Sequence, residues 1–150
     1  GESMGGFSSS QLFLKDPTFF SKVALACPAI STLSPFASEK DIAEYVQRNP
    51  YAKPDLIRNN ITFARMAFPT QKDWDAHNPL LLVKNVNAKF PRLYVSCSVQ
   101  DDFGFFEGSQ IFAKAAKDNG VAVQWVPIAN GGHCAQTPDT MIQLADFILP

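Results

Sequence analysis

The sequence predicts an α/β fold built on a mostly parallel sheet with flanking helices. Short, almost continuously apolar runs at residues 23–27, 93–99 and 121–126 are typical of strands buried on both faces. Helical patterns lie between and after these runs, in the order that a parallel sheet requires. At 150 residues, the chain is long enough for one domain with a packed core.

The N-terminal part is predicted to contain one helix and one strand. Residues 4–14 are small and apolar and stop at Asp16 and Pro17, which is typical of a tightly packed helix. The run at 23–27 then forms a strand that ends at Pro28.

Residues 31–91 separate two predicted strands by far more chain than one crossover helix needs. Ser38, followed three residues later by Asp41, is a capping pattern that starts one helix. Pro54 starts a second helix, and a shorter one is expected at 79–84. We therefore predict a helical cap over residues 31–91, inserted between the two strands.

The C-terminal part is predicted to complete a strand, helix, strand unit and to add a last helix. The connecting helix covers 106–119, with Gly120 at its C-cap, and the third strand at 121–126 ends before a proline. Thr137 is the expected N-cap of the last helix, with Pro138 at its first position. The apolar residues at helical spacing in this helix are Met141, Leu144, Ala145 and Ile148.

The charge pattern argues against nucleic-acid and membrane partners. Thirteen basic residues stand against 14 acidic ones, and the basic residues are scattered, so no positive stripe would bind phosphates or anionic lipid. The apolar runs are far shorter than the roughly 18 residues of a membrane-spanning helix. We expect neither kind of partner.

The three cysteines predict neither a disulfide framework nor a metal site. Their number is odd and they lack the spacing of a zinc site. Cys27 and Cys97 are interpreted as small buried strand residues, and Cys134 as a packing residue. This pattern favours the cytoplasm, although the sequence assigns no compartment. No metal and no other cofactor is expected.

The first five residues match G-x-S-x-G, a sharp strand-to-helix turn that exposes a serine hydroxyl above a sheet. The turn is so tight that side chains two residues before and two residues after the serine would clash. Glycines are therefore expected at both positions, which are Gly1 and Gly5 here. A glycine-rich turn without a catalytic role could show the same sequence pattern. A nucleophilic serine also needs a base and a carboxylate that orients the base.

The candidate base and acid follow the ends of two predicted strands. His133 lies just past the third strand, whereas His77 lies inside the inserted segment. Asp101 and Asp102 come directly after the second strand. Because parallel strands end at one edge of a sheet, Ser3, one of these aspartates and His133 are predicted to meet there. Their order along the chain is serine, acid, histidine.

Four stretches of the sequence resemble the C-terminal half of an α/β-hydrolase domain: GESMGGF, KDPTFFSKVALACPAI, LYVSCSVQDD and GGH. They are similar to the esterase-D-like branch, which contains carboxylesterases, feruloyl esterases, thioester hydrolases and some acyltransferases. The resemblance implies that residues 1–150 form a partial domain that starts at the nucleophile elbow. The N-terminal half of the same domain would then lie outside this sequence.

The resemblance also implies a catalytic triad. Ser3 would attack a small carboxylic ester or thioester, and His133 would take and return the proton. The acid of such hydrolases commonly ends a G-x-x-D pattern, which selects Asp101 if Ser98 stands at the glycine position. That departure from the pattern leaves Asp102 open.

The backbone N–H of Met4 would be one oxyanion donor, and the second would lie in the missing half. Two other functions stay open: a serine peptidase of the prolyl-oligopeptidase-like group, and a non-catalytic binding protein that keeps the fold. If the cap folds over the site, the expected contributors to a pocket are Phe63, Met66, Phe68 and Trp74.

Overall fold

Three parallel strands, β1 (Lys22–Ala26), β2 (Arg92–Ser98) and β3 (Val123–Ile128), form one sheet in that order. The computed structural model describes residues 1–87 and 89–149. All three predicted strands are present, displaced by one or two residues. The predicted parallel sheet is therefore confirmed.

β2 is the central strand of the described sheet. Val95 of β2 pairs with Leu25 of β1 on one side and with Trp125 of β3 on the other. The third strand departs most from the prediction, because Pro127 lies inside it, opposite Cys97, and does not end it. A proline has no N–H to donate, and a strand at the border of a sheet tolerates that loss.

Helices, loops and a 3₁₀ turn at Val83–Asn85 make up the rest of the chain that the structure describes. The α-helices are α1 (Ser3–Lys15), α2 (Glu39–Arg48), α3 (Pro54–Ala67), α4 (Gln71–Asp75), α5 (Pro79–Leu82), α6 (Phe105–Asp118) and α7 (Pro138–Ile148). None of these described helices combines the length and the apolar content needed to cross a bilayer.

The helices cover both faces of the sheet, as the apolar strands predicted. On one face, Phe13 of α1 and Phe112 of α6 meet with ring centroids 6.3 Å apart and pack with Leu25 in one buried cluster. On the other face, Phe147 of α7 lies 5.7 Å from the ring of Tyr94 in β2. The sheet is thus the middle layer of three.

The segment between β1 and β2 is helical, and its helices begin where capping predicts. Ser38 and Asp41 form a reciprocal capping box at the start of α2, and Pro54 is the first residue of α3. The short helix α4 was not predicted, although Thr70 and Asp73 form the same kind of capping box at its start. The buried residues that α2, α3 and their connection share are Ile42, Tyr45, Ala52, Ile57 and Ile61.

The last helix begins as predicted, with a Thr137 capping box, but buries a different stripe. Thr140 and Phe147 are buried, with Leu144 partly covered between them, whereas Met141 and Ile148 are more than half exposed. Helical spacing predicts which side chains share a face, but the neighbouring elements decide which face is covered.

The core around α1 gives a direct test of this packing. Phe13→Ala removes a ring with no exposed surface, and we expect it to lower the free energy of unfolding by about 3–5 kcal/mol. Phe19→Ala is the matched control, because that ring is 71% exposed, and it should cost about 0.5 kcal/mol or less. Urea denaturation measures both values, and similar losses in the two variants would contradict the assigned core.

Candidate active site

Ser3 stands on a sharp turn between an extended segment and α1. Glu2 forms a parallel bridge with Ala26 at the end of β1, and α1 begins at the next residue. The φ angle of Ser3 is 50°, a left-handed conformation that costs energy outside glycine. A Cβ on Gly1 would collide with the carbonyl oxygen of Gly5, so a side chain is excluded there. A Cβ on Gly5 would meet no atom within 4 Å, so the predicted crowding is confirmed at Gly1 and is wrong at Gly5.

A continuous hydrogen-bonded chain links the predicted acid, base and nucleophile. The Nε2 atom of His133 lies 2.8 Å from Ser3 Oγ, and its Nδ1 lies 2.6 Å from Asp101 Oδ2. The other carboxylate oxygen of Asp101 accepts the N–H groups of Phe103 and Phe105, at 2.9 and 3.1 Å. These bonds orient a buried carboxylate, which in turn fixes the imidazole with Nδ1–H towards the acid and Nε2 towards the serine.

Two aromatic rings bound the imidazole on its sides. Phe103 and Phe105 stack on each other at 5.2 Å, and their ring centroids lie 4.8 and 5.6 Å from that of His133, edge to face. Because these rings follow Asp101 directly, one short segment positions the histidine through both hydrogen bonding and packing.

Asp102 has a different set of partners from Asp101. One of its carboxylate oxygens accepts the backbone N–H of His133 at 2.9 Å, and the other lies 2.6 Å from Lys53 Nζ. Its carbonyl oxygen accepts the Lys53 N–H at 2.7 Å. The Lys53 ammonium, followed by the His133 N–H, holds the pKa of Asp102 below its usual range. Asp101 therefore contacts the imidazole, and Asp102 ties the histidine loop to the start of α3.

The N–H of Met4 lies in the first turn of α1, directly after Ser3. The first N–H groups of a helix have no acceptor within it, and the bond from Gly6 N–H to Glu2 O, at 3.0 Å, comes two residues later. Met4 N–H is thus available to an acceptor beside the serine. His77 lies elsewhere, with Nδ1 2.8 Å from Asp73 O.

The prediction of unpaired cysteines was wrong for two of the three. Cys27 and Cys134 form a disulfide across 107 residues of sequence, and Cys27 lies just past β1, outside any strand. Such a separation leaves no spacing signal in the sequence. The signal that was present is topological, since Cys27 follows a strand that ends at the same edge as His133. The disulfide removes the argument that favoured the cytoplasm.

The disulfide belongs to the site by position. In the described residues, the non-glycine residues with positive φ are Ser3, Cys27 and Cys134, and all border the imidazole. Cys134 Sγ lies 3.4 Å from His133 Nε2. The third cysteine, Cys97, is buried and free as predicted, and burial, followed by the charge of Asp101, raises the pKa of its thiol.

An apolar cavity of about 600 Å³, a volume that includes open solvent at its mouth, is lined by Met4, which follows Ser3, and by Phe103, whose ring lies 4.8 Å from that of His133. Side chains of α3 and Trp74 of α4 line the cavity as well. Of the side chains predicted to line a pocket, Phe63, Phe68 and Trp74 do so, whereas Met66 does not and is 77% exposed. The remaining lining residues are Phe7, Ala29, Ser31, Leu33, Pro35, Ile57, Asn60, Ile61, Ala64 and Ala67.

An aromatic cluster stiffens the floor of this cavity. The rings of Phe7 and Trp74 stack with a 3° interplanar angle and centroids 6.0 Å apart, and Phe68 meets both edge to face. Phe7 belongs to α1, whereas Trp74 belongs to the segment between β1 and β2. The cluster therefore joins that segment to the helix that carries the serine.

A second junction joins α2 to the loop after β2. The buried Tyr45 hydroxyl donates towards the carbonyl oxygens of Gly104 and Phe103, at 2.8 and 3.1 Å. Gly104 has a φ of 74°, and a Cβ there would lie 2.8 Å from the Tyr45 hydroxyl oxygen. Only glycine suits both the conformation and the space.

Glu107 strengthens the same junction. Its carboxylate accepts hydrogen bonds from Thr32, Asn49 and Arg48, at 2.7 to 3.1 Å. Partial burial raises the pKa of Glu107, but these donors together hold it below its usual range. Sequence analysis missed this junction, because single polar contacts between distant segments have no periodic signal.

Comparison with known proteins identifies the fold of the chain. No family model and no curated protein sequence matches the chain. Among solved structures, carboxyl esterase 2 from the fungus Tuber melanosporum matches over 98% of the chain, with a TM-score of 0.67 and 20% identity. An esterase from Rhizomucor miehei matches over 97%, with a TM-score of 0.70 and 16% identity. The chain has the fold of the α/β hydrolases.

The matches also show what share of each related structure the chain covers. It covers 51% and 48% of these two fungal esterases, so it spans about half their length. It covers 19% of the acylaminoacyl peptidase from Pyrococcus horikoshii, with a TM-score of 0.58 and 18% identity. Esterases and peptidases thus share this α/β-hydrolase fold, and the choice between them depends on the site.

Proposed function

We propose that the chain carries the nucleophile, base and acid of a serine hydrolase that cleaves carboxylic ester or thioester bonds through an acyl-enzyme. The observation that carries this proposal is the hydrogen-bonded chain from Asp101 through His133 to Ser3. It stands on the strained turn of an α/β-hydrolase elbow, where this arrangement activates a serine hydroxyl.

The first half of the reaction acylates the serine. Ser3 Oγ attacks the carbonyl carbon while its proton passes to His133 Nε2. Met4 N–H donates to the oxyanion that forms. The imidazolium then gives its proton to the leaving alcohol or thiol as the bond to the acyl carbon breaks.

The second half releases the acid. Water attacks the acyl carbon, His133 takes its proton, and the collapse of the second tetrahedral intermediate returns that proton to Ser3. In both halves, Asp101 stabilises the positive imidazolium and keeps Nδ1–H turned towards itself. The carboxylate is 1% exposed and hydrogen-bonded to two N–H groups, so it is already oriented before the proton moves.

Part of the site would belong to another region of the protein. We propose that residues 1–150 form part of a larger domain, because the chain covers about half of each fungal esterase. The N-terminal half of the same domain would supply the second oxyanion donor and the facing wall of the cleft.

The apolar cavity favours an ester substrate with an apolar group on one side. We infer that residues 31–91 act as a cap, since side chains of α3 and α4 line the cavity together with Met4 and Phe103. Its lining in the described residues holds no charged side chain, which suits an apolar group of the substrate. A non-catalytic binding role would leave the aligned serine, histidine and aspartate without a purpose.

The nucleophile can be tested with a fluorophosphonate probe, which labels activated serines. The enzyme that carries this chain should be labelled at Ser3, and Ser3→Ala should abolish labelling, because Ser3 Oγ is the hydroxyl that lies 2.8 Å from His133 Nε2. Ser8→Ala is the matched control on the same helix and should label normally. Peptide mass spectrometry reads the site, and labelling that survives in Ser3→Ala would remove Ser3 from the mechanism.

The two adjacent aspartates should differ sharply in their effect on turnover. Asp101→Asn should lower kcat by about 10³- to 10⁴-fold, because the amide favours the wrong imidazole tautomer. Asp102→Asn keeps an oxygen for the His133 N–H and loses mainly a partly exposed ion pair with Lys53, so it should cost about fivefold or less. Steady-state hydrolysis of an activated ester measures both variants. The reverse ranking would make Asp102 the acid.

Selectivity should follow the cavity wall. Phe63 and Met66 lie less than one turn apart on α3 and are both more than half exposed, yet only Phe63 lines the cavity. Phe63→Ala should change the ratio of kcat/KM between bulky and acetyl esters by about 10-fold, within the range of hydrophobic pocket contacts. Met66→Ala should leave this ratio unchanged. Equal losses on all esters in Phe63→Ala would place selectivity outside the cap.

A further inference from the structure

Three soft donor atoms meet on the Nε2 side of the imidazole. The sulfurs of Cys27 and Cys134 are bonded to each other, and His133 Nε2 lies 3.4 Å from Cys134 Sγ. All three atoms lie within 4.8 Å of one another. In the oxidised chain, neither sulfur is a thiolate, so this cluster cannot bind a metal ion.

The distance between Cys134 Sγ and His133 Nε2 matches that of a tetrahedral zinc site. Bonds of about 2.3 Å to sulfur and 2.05 Å to nitrogen put a sulfur and a nitrogen ligand about 3.5 Å apart. The observed 3.4 Å between Cys134 Sγ and His133 Nε2 is close to that edge. Two thiolates and one imidazole are a ligand set that zinc commonly takes, with a fourth position left open.

The support around the histidine also fits a metal ligand. A histidine that binds a metal through one nitrogen usually donates its other N–H to a carboxylate, which fixes the ring and strengthens the bond. His133 Nδ1 already has this partner in the buried Asp101, at 2.6 Å. The arrangement that orients the base for hydrolysis therefore also presents Nε2 to a cation.

We propose that reduction of the Cys27–Cys134 disulfide creates a Cys₂His site for a soft divalent cation of the zinc class, with His133 Nε2 as its third ligand. The existence of this metal site does not depend on the proposed function. Its consequence, loss of hydrolysis, rests on that function.

The chemistry needs a dithiol as reductant. One thiolate of the dithiol attacks Cys134 Sγ, which is on the partly exposed loop, and buried Cys27 leaves as a thiolate. The second thiol of the reductant then displaces Cys134 and closes its own disulfide, so two electrons and two protons pass to the protein. The cation binds both sulfurs and releases these two protons to solvent.

The local backbone allows the sulfurs to separate. Zinc holds two thiolates about 3.8 Å apart, so the side chains must turn away from each other. Cys27 N–H is bonded to Ser96 O at 2.6 Å, which holds that residue against β2. Cys134 lies on the partly exposed histidine loop, whereas Cys27 is buried, so we expect the Cys134 side chain to make most of the movement.

Metal binding would disable the base. The lone pair on His133 Nε2 that takes the Ser3 proton would instead bind the cation, and hydrolysis would stop until a chelator removed it. The disulfide thus keeps a metal ion away from the catalytic nitrogen.

Cobalt reports the site directly, because thiolate ligands give intense charge-transfer bands and tetrahedral Co²⁺ gives strong visible bands. The enzyme is reduced with dithiothreitol, freed of reductant under anaerobic conditions, and titrated with Co²⁺. We expect two additional thiols on reduction, one Co²⁺ bound per chain with both sets of bands, and displacement by Zn²⁺. The oxidised enzyme should show no bands. Reduced enzyme without thiolate bands would overturn the proposal.

Cysteine variants assign the ligands. Cys27→Ser and Cys134→Ser should each weaken or abolish the charge-transfer bands, whereas Cys97→Ser should retain them. Bands that persist unchanged in Cys134→Ser would show that Co²⁺ binds elsewhere and would contradict the site.

Activity separates this proposal from the proposed function. Saturating Zn²⁺ should lower ester hydrolysis of the reduced enzyme by about 1,000-fold or more, as loss of the base does, and leave the oxidised enzyme active. A chelator should restore the rate. Bands without inhibition would exclude His133 as a ligand and overturn the Cys₂His assignment. An enzyme with cobalt bands but without any hydrolase activity would refute the proposed function and keep the metal site.

Discussion

The site depends on one constraint, the shared carboxyl edge of a parallel sheet. Cys27, Asp101 and His133 follow β1, β2 and β3, so each is brought to that edge by the strand before it. Ser3 reaches the same place because Glu2 pairs with Ala26 at the end of β1. The sheet therefore assembles groups that are separated by up to 130 residues of sequence. The disulfide adds a covalent link between the loop after β1 and the histidine loop.

The sequence predicted the parts of this arrangement that follow from periodicity and topology. Apolar runs located the strands, and the edge rule brought Ser3, His133 and an aspartate together. The choice between Asp101 and Asp102 was beyond that rule, because it depends on which carboxylate turns inward to meet two N–H groups. The edge rule also applied to Cys27, but the odd number of cysteines suggested that it was unpaired. The esterase-D-like branch stays a prediction, since the structural likeness establishes the fold.

The cap segment shows a second limit of sequence reasoning. Ser38 and Pro54 predicted where its main helices begin, because capping is a local interaction. Its attachment to the site is not local. Lys53 forms an ion pair with Asp102, and the Glu107 carboxylate accepts hydrogen bonds from Thr32, Arg48 and Asn49. These residues are far apart in sequence and come together only in the folded chain. Most of these contacts are made by residues 101–107, the stretch that begins at Asp101. This one segment therefore both carries Asp101 and anchors the segment between β1 and β2.

The contact between Tyr45 and Gly104 restricts how this scaffold could evolve. Any side chain at 104 would meet the tyrosine ring and would also strain a left-handed backbone, so a change at either position disturbs the turn beside Asp101. Exposed cavity residues of α3, such as Phe63, are free of that coupling. Changes in the shape of the cavity would thus arise more readily through α3 than through α2. α3 would be free to vary, while α2 would stay tied to the turn beside Asp101.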